Sequence, residues 1–246
     1  MASGSVNDLR IVLLGKNESE NNEVGNITLG TTVFQSKAPS YSQYLSEIIS
    51  GTVEKKRITV INTRLLQPHL LQHQIIKGVR ECVSLSAPGP HSIALVLQYK
   101  DFTEEDMRKV NFVLSHFSKQ AIKHTIVVTT DEDTITSKIT SKIWNNAIYN
   151  LIKVCGGGHL KFDSRNSGWR SEMLKRTEEI LKKEHEEFLI CNMYEDGDDG
   201  SSVDENLSRS GGSVREDDKE EDPVESTKTG RDGGGLSKRY FSEQYF

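Results

Sequence analysis

The chain has 246 residues and a formal net charge of −5, from 36 acidic and 31 basic residues. That length allows one large domain with a tail, or two small ones. The absence of a dense basic stripe argues against nucleic-acid binding, and no run approaches the ~20 apolar residues that span a bilayer.

The charge is uneven. Residues 195–222 hold twelve acidic and three basic residues, a net of −9, so the remainder sums to +4. The three cysteines, Cys82, Cys155 and Cys191, are odd in number and widely spaced. They read as reduced cytosolic thiols, not as a disulfide framework or a zinc site, and the expected location is cytoplasmic. Residues 1–8 are polar, are expected to be flexible, and lack the charged-then-apolar pattern of a secretion signal.

In chain order, Leu9 to Leu14, apolar apart from Arg10, is suited to a central parallel strand covered on both faces. Gly15 opens a loop, and a short helix is predicted over 22–30, closed by Gly30. Residues 31–52 read as a long, Ser-rich connection. Arg57 to Asn62 is the next strand. Leu70 to Val83 carries Leu71, Ile75, Ile76, Val79 and Val83 at three-to-four spacing and is predicted helical. Ser92 to Gln98 is a strand. Thr103 caps a helix running to about His116, with Glu104, Glu105 and Asp106 in its first turn. His124 to Thr129 is a buried strand, Ile135 to Val154 a helix closed by Cys155-Gly156-Gly157-Gly158, and His159 to Phe162 a last short strand. Gly168 to about Leu189 is the final helix, with Met173, Leu174, Ile180 and Leu181 inward. Strands alternating with helices specify an open, mostly parallel α/β sheet. From 195 to 246 the chain is Gly, Ser, Asp and Glu until an aromatic end. It buries too little surface to offset ordering and is expected to be a disordered acidic tail.

A strand, a loop and a helix beginning at Leu9 form the context of a phosphate-binding loop, G-x-x-x-x-G-K-[ST]. From Gly15 the chain reads Gly-Lys-Asn-Glu-Ser-Glu-Asn-Asn. Glu20 stands at the second glycine, Asn21 at the lysine and Asn22 at the Mg-binding hydroxyl. The frame Gly15, Lys16, Gly25, Asn26, Leu29 and Gly30 resembles the first box of the immunity-associated nucleotide-binding (IMAP, AIG-type) GTPases. The block Ser84-Leu85-Ser86-Ala87-Pro88-Gly89-Pro90-His91, the later Phe102-Thr103-Glu104-Glu105-Asp106 and Cys155-Gly156-Gly157 resemble that family's other blocks. The resemblance covers about residues 8 to 194. It implies a three-layer P-loop G-domain over 9–194, GTP or GDP as ligand, and other G-domains of the family as partners.

The family's remaining nucleotide motifs are altered as well. Tyr44 falls where the family's first switch has threonine. Asn62-Thr63-Arg64-Leu65 stands for Asp-Thr-Pro-Gly, removing the carboxylate that holds Mg through water. Thr130-Asp131-Glu132-Asp133 stands for [NT]-K-x-D. The degenerate nucleotide-binding set is therefore Gly15, Lys16, Asn21, Asn22, Asn62, Thr130 and Asp133, with no catalytic and no metal residue assigned. Like charges ~4 Å apart cost on the order of 4 kcal/mol at an effective dielectric near 20. Losing the lysine forfeits about 1.5–3 kcal/mol. Glutamates forced to positive φ at the old glycines cost roughly 1–2 kcal/mol each. Mg is not expected. His69 and His73, four apart, lack a third ligand, and His91 is expected to brace the strand that follows it. The expectation is a pseudo-GTPase acting as an interaction or assembly module; the alternative is a weak guanine-nucleotide binder with little hydrolysis.

Overall fold

The computed structural model describes residues 8–34, 45–53, 55–131 and 146–192. The strands are β1 (Asp8–Gly15), β2 (Ser46–Val53), β3 (Lys56–Thr63), β4 (Ser92–Leu97), β5 (Thr125–Thr129) and β6 (His159–Lys161). They form one sheet in the order β2-β3-β1-β4-β5-β6. Only β2 is antiparallel, pairing Ser46 with Thr63 through to Val53 with Lys56. The apolar run of β1 sits between β3 and β4, with Ile11 opposite both Val60 and Ser92.

The helices are α1 (Glu18–Leu29), α2 (Gln72–Leu85), α3 (Glu104–Phe117), α4 (Asn146–Val154) and α5 (Trp169–Glu184), with a 3-10 turn at Ala121–His124. Strand residues alternate between faces, so two separate cores form. Val12, Leu14, Ile61, Leu95 and Val127 pack with α2, α3 and α4. Leu9, Ile11, Leu13, Val60, Val96 and Val128 pack with α1 and α5. This is the three-layer, mostly parallel arrangement expected from the sequence. No described helix is long and apolar enough to cross a membrane.

The end of α3 and the caps follow the sequence closely. The Thr103 hydroxyl accepts from the Asp106 N–H, and Asp106 reaches back to the Thr103 N–H at 2.9 Å. Gly30 closes α1 at φ 72, a conformation that disfavours a Cβ. Met173, Leu174, Ile180 and Leu181 are buried as expected. The glycines after α4 are explained by close backbone approach: a Cβ on Gly156 would lie 1.9 Å from the Lys123 carbonyl oxygen.

Four expectations change. The stretch 31–52 contains β2, an edge strand. Leu71 is exposed, because it precedes α2 as its cap residue. The last helix stops at Glu184, where His185 turns left-handed at φ 58. Most importantly, α1 begins at Glu18, a full turn before Asn22. The first part of the predicted helix 135–154, up to residue 145, together with Tyr44, Asp133 and the 195–246 tail, lies outside the described residues.

His91 braces the sheet, as expected. Its N–H donates to the Arg10 carbonyl and its Nδ1 accepts the Arg10 N–H, each at 2.8 Å. A ring nitrogen that accepts a hydrogen bond is unprotonated. Burial, with the Arg10 guanidinium beside it, lowers its pKa to about 4.

Candidate functional site

Between β1 and α1 only Lys16 and Asn17 remain. The loop that would wrap a phosphate has become the first turn of a helix. Asn17 is its cap: Oδ1 accepts from the N–H groups of Ser19 at 3.0 Å and Glu20 at 3.4 Å. The Asn21 N–H bonds to the Asn17 carbonyl at 3.1 Å. Free N–H groups at a helix start are what bind a phosphate; here the chain's own amide takes two of them. Because residues 18–21 are helical, the positive-φ strain expected of Glu18 and Glu20 does not arise. The non-glycine residues with positive φ among those described are Lys55 and His185.

Among the described residues, those that depart from the phosphate motif make internal contacts. Glu18 pairs with Arg64 at 3.5 Å. Glu20 accepts from the Gln98 amide. Burial raises the Glu20 carboxyl above its usual range; the adjacent Thr130 hydroxyl works against that, and Asp101 works with it. The Asn21 amide donates to the Thr63 carbonyl at 3.3 Å. Its oxygen fills the space at Gly15, where a Cβ would approach it to 2.1 Å. Asn62 Nδ2 donates to Asn22 Oδ1 at 2.7 Å, with both residues buried. In the family's motifs these two positions both serve Mg; here they bond directly. Leu65, at the family's phosphate-facing glycine, is fully buried in the core.

The predicted set thus divides. Gly15 and Asn21 come together, as do Asn22 and Asn62. Lys16 turns away: its ammonium donates to Asp106 at 3.1 Å and to the Asp101 carbonyl at 3.0 Å. Burial opposes the charge on Asp106, yet the Thr103 hydrogen bonds and Lys16 hold its carboxyl below the usual range. Thr130 follows β5, its N–H on the Leu97 carbonyl at 3.1 Å. Asp131, at the position of the base-packing lysine, instead accepts the Tyr99 N–H at 2.7 Å and the Lys100 N–H at 3.2 Å. Among the described residues, no group of three or more His, Cys, Asp or Glu could hold a metal.

The sequence reading missed Asn17, Arg64, Gln98, Asp101 and Asp106 as members of this region. Asn17-Glu18-Ser19-Glu20 has the form of a helix start, with a capping residue and a glutamate three later. That signal was present. The partners on other strands and helices had no local signature.

The Asn62–Asn22 bond carries a measurable share of stability. Asn62→Ala leaves Asn22 Oδ1 without its donor and should lower unfolding free energy by about 1–3 kcal/mol in urea titration. An Asn22→Ala, Asn62→Ala double variant should cost clearly less than the sum of the two single variants.

The two halves of the matched family box have separate physical roles. Asn26 accepts the N–H groups of Val33 and Phe34 and donates to the Phe34 carbonyl, all within 2.9 Å. A Cβ on Gly25 would meet the Phe34 ring at 2.8 Å. These residues fix α1 and the chain after it, and they match the family form. The residues that depart from it are those on the phosphate side.

Comparison with known proteins agrees with this fold. A sequence model described as the AIG1 family matches residues 9–206. The chain is similar to "GTPase IMAP family member 8" of Homo sapiens, 26% identical over 185 residues, covering 74% of this chain and 28% of that protein. It therefore spans a little over a quarter of that relative's length. Toc33 from Arabidopsis thaliana in complex with Mg2+ and GMPPNP superposes with a TM-score of 0.57 at 13% identity, covering 74% of this chain and 87% of that one. A second structure superposes with a TM-score of 0.55 at 13% identity, covering 71% of this chain and 83% of that one. It was solved in work titled "Dimerization is important for the GTPase activity of chloroplast translocon components atToc33 and psToc159".

Proposed function

The chain belongs to the AIG1 family, and on that premise we propose that it is a pseudo-GTPase: a G-domain whose phosphate side is filled from within, and which works as an interaction and assembly module. The observation that carries this is the start of α1. Asn17 occupies helix N–H groups that a phosphate would need. Three further features point the same way. Glu18 and Glu20 bring negative charge to the place of an anion. Lys16 is engaged with Asp106. The Asn22–Asn62 bond replaces two positions that serve Mg in the family.

The partner proposed is another G-domain, of this chain or of a family relative. Dimerization is named for the Toc components in that title, and the same architecture gives this chain comparable faces to present. A second reading, a weak guanine-nucleotide binder with little hydrolysis, draws on the fold shared with Toc33 bound to GMPPNP, and on Thr130 and Asp133.

The test is a titration of the full chain with fluorescent GTP and GDP, with and without Mg. No saturable binding tighter than about 10 μM is expected. Saturable binding below that value, lost in Asp133→Ala, overturns the proposal in favour of the second reading.

A further inference from the structure

The sheet ends at β2, an edge strand of 8 residues, and no described strand pairs with its outer side. The hairpin with β3 fixes which backbone groups face outward. Val53 stands opposite Lys56, and the register runs unbroken back to Ser46 opposite Thr63. One step beyond, the Arg64 N–H donates to the Leu45 carbonyl at 2.8 Å. Opposite residues of an antiparallel pair alternate between bonded and non-bonded. Leu45 and every second residue to Val53 therefore turn their N–H and C=O toward β3. Ser46, Ile48, Ser50 and Thr52 turn theirs away from the sheet. Ile48, Ser50 and Thr52 are exposed, Ile48 by 43%.

Edges that avoid pairing are blunted by proline, lysine or a bulge. SEIISGTV has no proline or lysine, and its register has no bulge. Its charge is arranged end to end. Glu47 stands near its start, and Lys55 lies in the turn just past its end, with φ 67. Both are exposed. A strand acidic at one end and basic at the other complements a copy of itself running the opposite way. The opposite edge of the sheet, β6, has 3 residues and offers a far shorter ladder.

We propose that β2 docks onto β2 of a second copy of this chain, antiparallel, about a two-fold axis at Ser50. Ser50 then bonds its own counterpart, and Ile48 bonds the partner's Thr52, so the outward N–H and C=O groups find acceptors and donors. Ile48 packs across the ladder on the partner's Thr52. Glu47 lies diagonal to the partner's Lys55, within reach of two long side chains, and the symmetry makes this contact twice. The two sheets become one continuous sheet. The inference rests on the assembly role proposed above and supplies its surface and its partner.

The test is sedimentation velocity of the full chain up to about 200 μM, with amide exchange at the two ends of that series. A concentration-dependent dimer is expected, in which the amides of Ile48, Ser50 and Thr52 exchange more slowly. Those of Ile49 and Gly51, already bonded to β3, should not change. Thr52→Pro removes only an outward N–H, which an edge strand tolerates, and should abolish the dimer. Glu47→Lys should weaken it roughly tenfold, and Glu47→Lys with Lys55→Glu should restore it. The charge reversal decides the matter if the proline variant does not fold. A monomer throughout the series, a dimer whose outward amides are not slowed, or a reversal that fails to restore pairing overturns the inference. A dimer formed through another face overturns it too, yet leaves the assembly role standing. That role is judged separately, by the nucleotide titration.

Discussion

Trp169→Ala is expected to lower the unfolding free energy by about 4 kcal/mol, the range found for truncating a large buried aromatic side chain. Trp169 is 2% exposed and opens α5. Its ring meets Phe162 edge-on, with centroids 5.0 Å apart at 88°. Its Nε1 donates to the Lys161 carbonyl at 3.0 Å. Removing it empties the seam between α5 and the end of β6 and takes away the Nε1 donor to the Lys161 carbonyl. Trp169→Phe restores much of the volume but not the donor, so it should cost clearly less. Urea unfolding of both variants checks the order. A loss below about 1.5 kcal/mol for the alanine variant would mean that the seam is loosely packed.

Lowering the pH from 7 to 4 should remove about 3 kcal/mol of stability through a single histidine. The source is His91. Above pH 6.5 it is neutral in both folded and unfolded chains and contributes no pH dependence. As pH falls through 6.5, the unfolded chain takes a proton there. The folded chain does so only near 4, because the ring is buried beside the Arg10 guanidinium. Across that window the unfolded state binds more protons, so stability falls as pH falls. The gap of about 2.5 pH units, at about 1.4 kcal/mol for each, gives the stated loss. His159 adds to it with the same sign, its pKa lowered by burial and by Arg176. Stability measured between pH 7 and 4 should slope steeply in the native chain. A His91→Gln variant should be less stable at pH 7 and flatter across the window.

Most of the architecture was legible because apolar runs and caps declare themselves locally. The short, β-branched and largely buried runs of β1, β4 and β5 read as central strands. Thr103 and Asp106 marked the start of α3. The edge strand β2 was not legible: SEIISGTV lacks a clean alternation and exposes Ile48. Its strand character comes from pairing with β3 and not from its own composition. The first helix was misread for a different reason. Matching 15–22 to a phosphate motif imposed a loop where Asn17 and Glu20 mark a helix start. The residue changes in the pocket were visible in the sequence; what fills it was not. Lys16 and Asp106 are ninety positions apart, and no local pattern joins them.

A working switch protein keeps time. A phosphate bond breaks, a product departs, and the contacts that depended on it relax. The amide link from Asn62 to Asn22 belongs wholly to the polypeptide, so nothing in it can depart. On the proposed reading this domain has no internal clock. How long it holds a partner would follow how much of it is made and how soon it is destroyed.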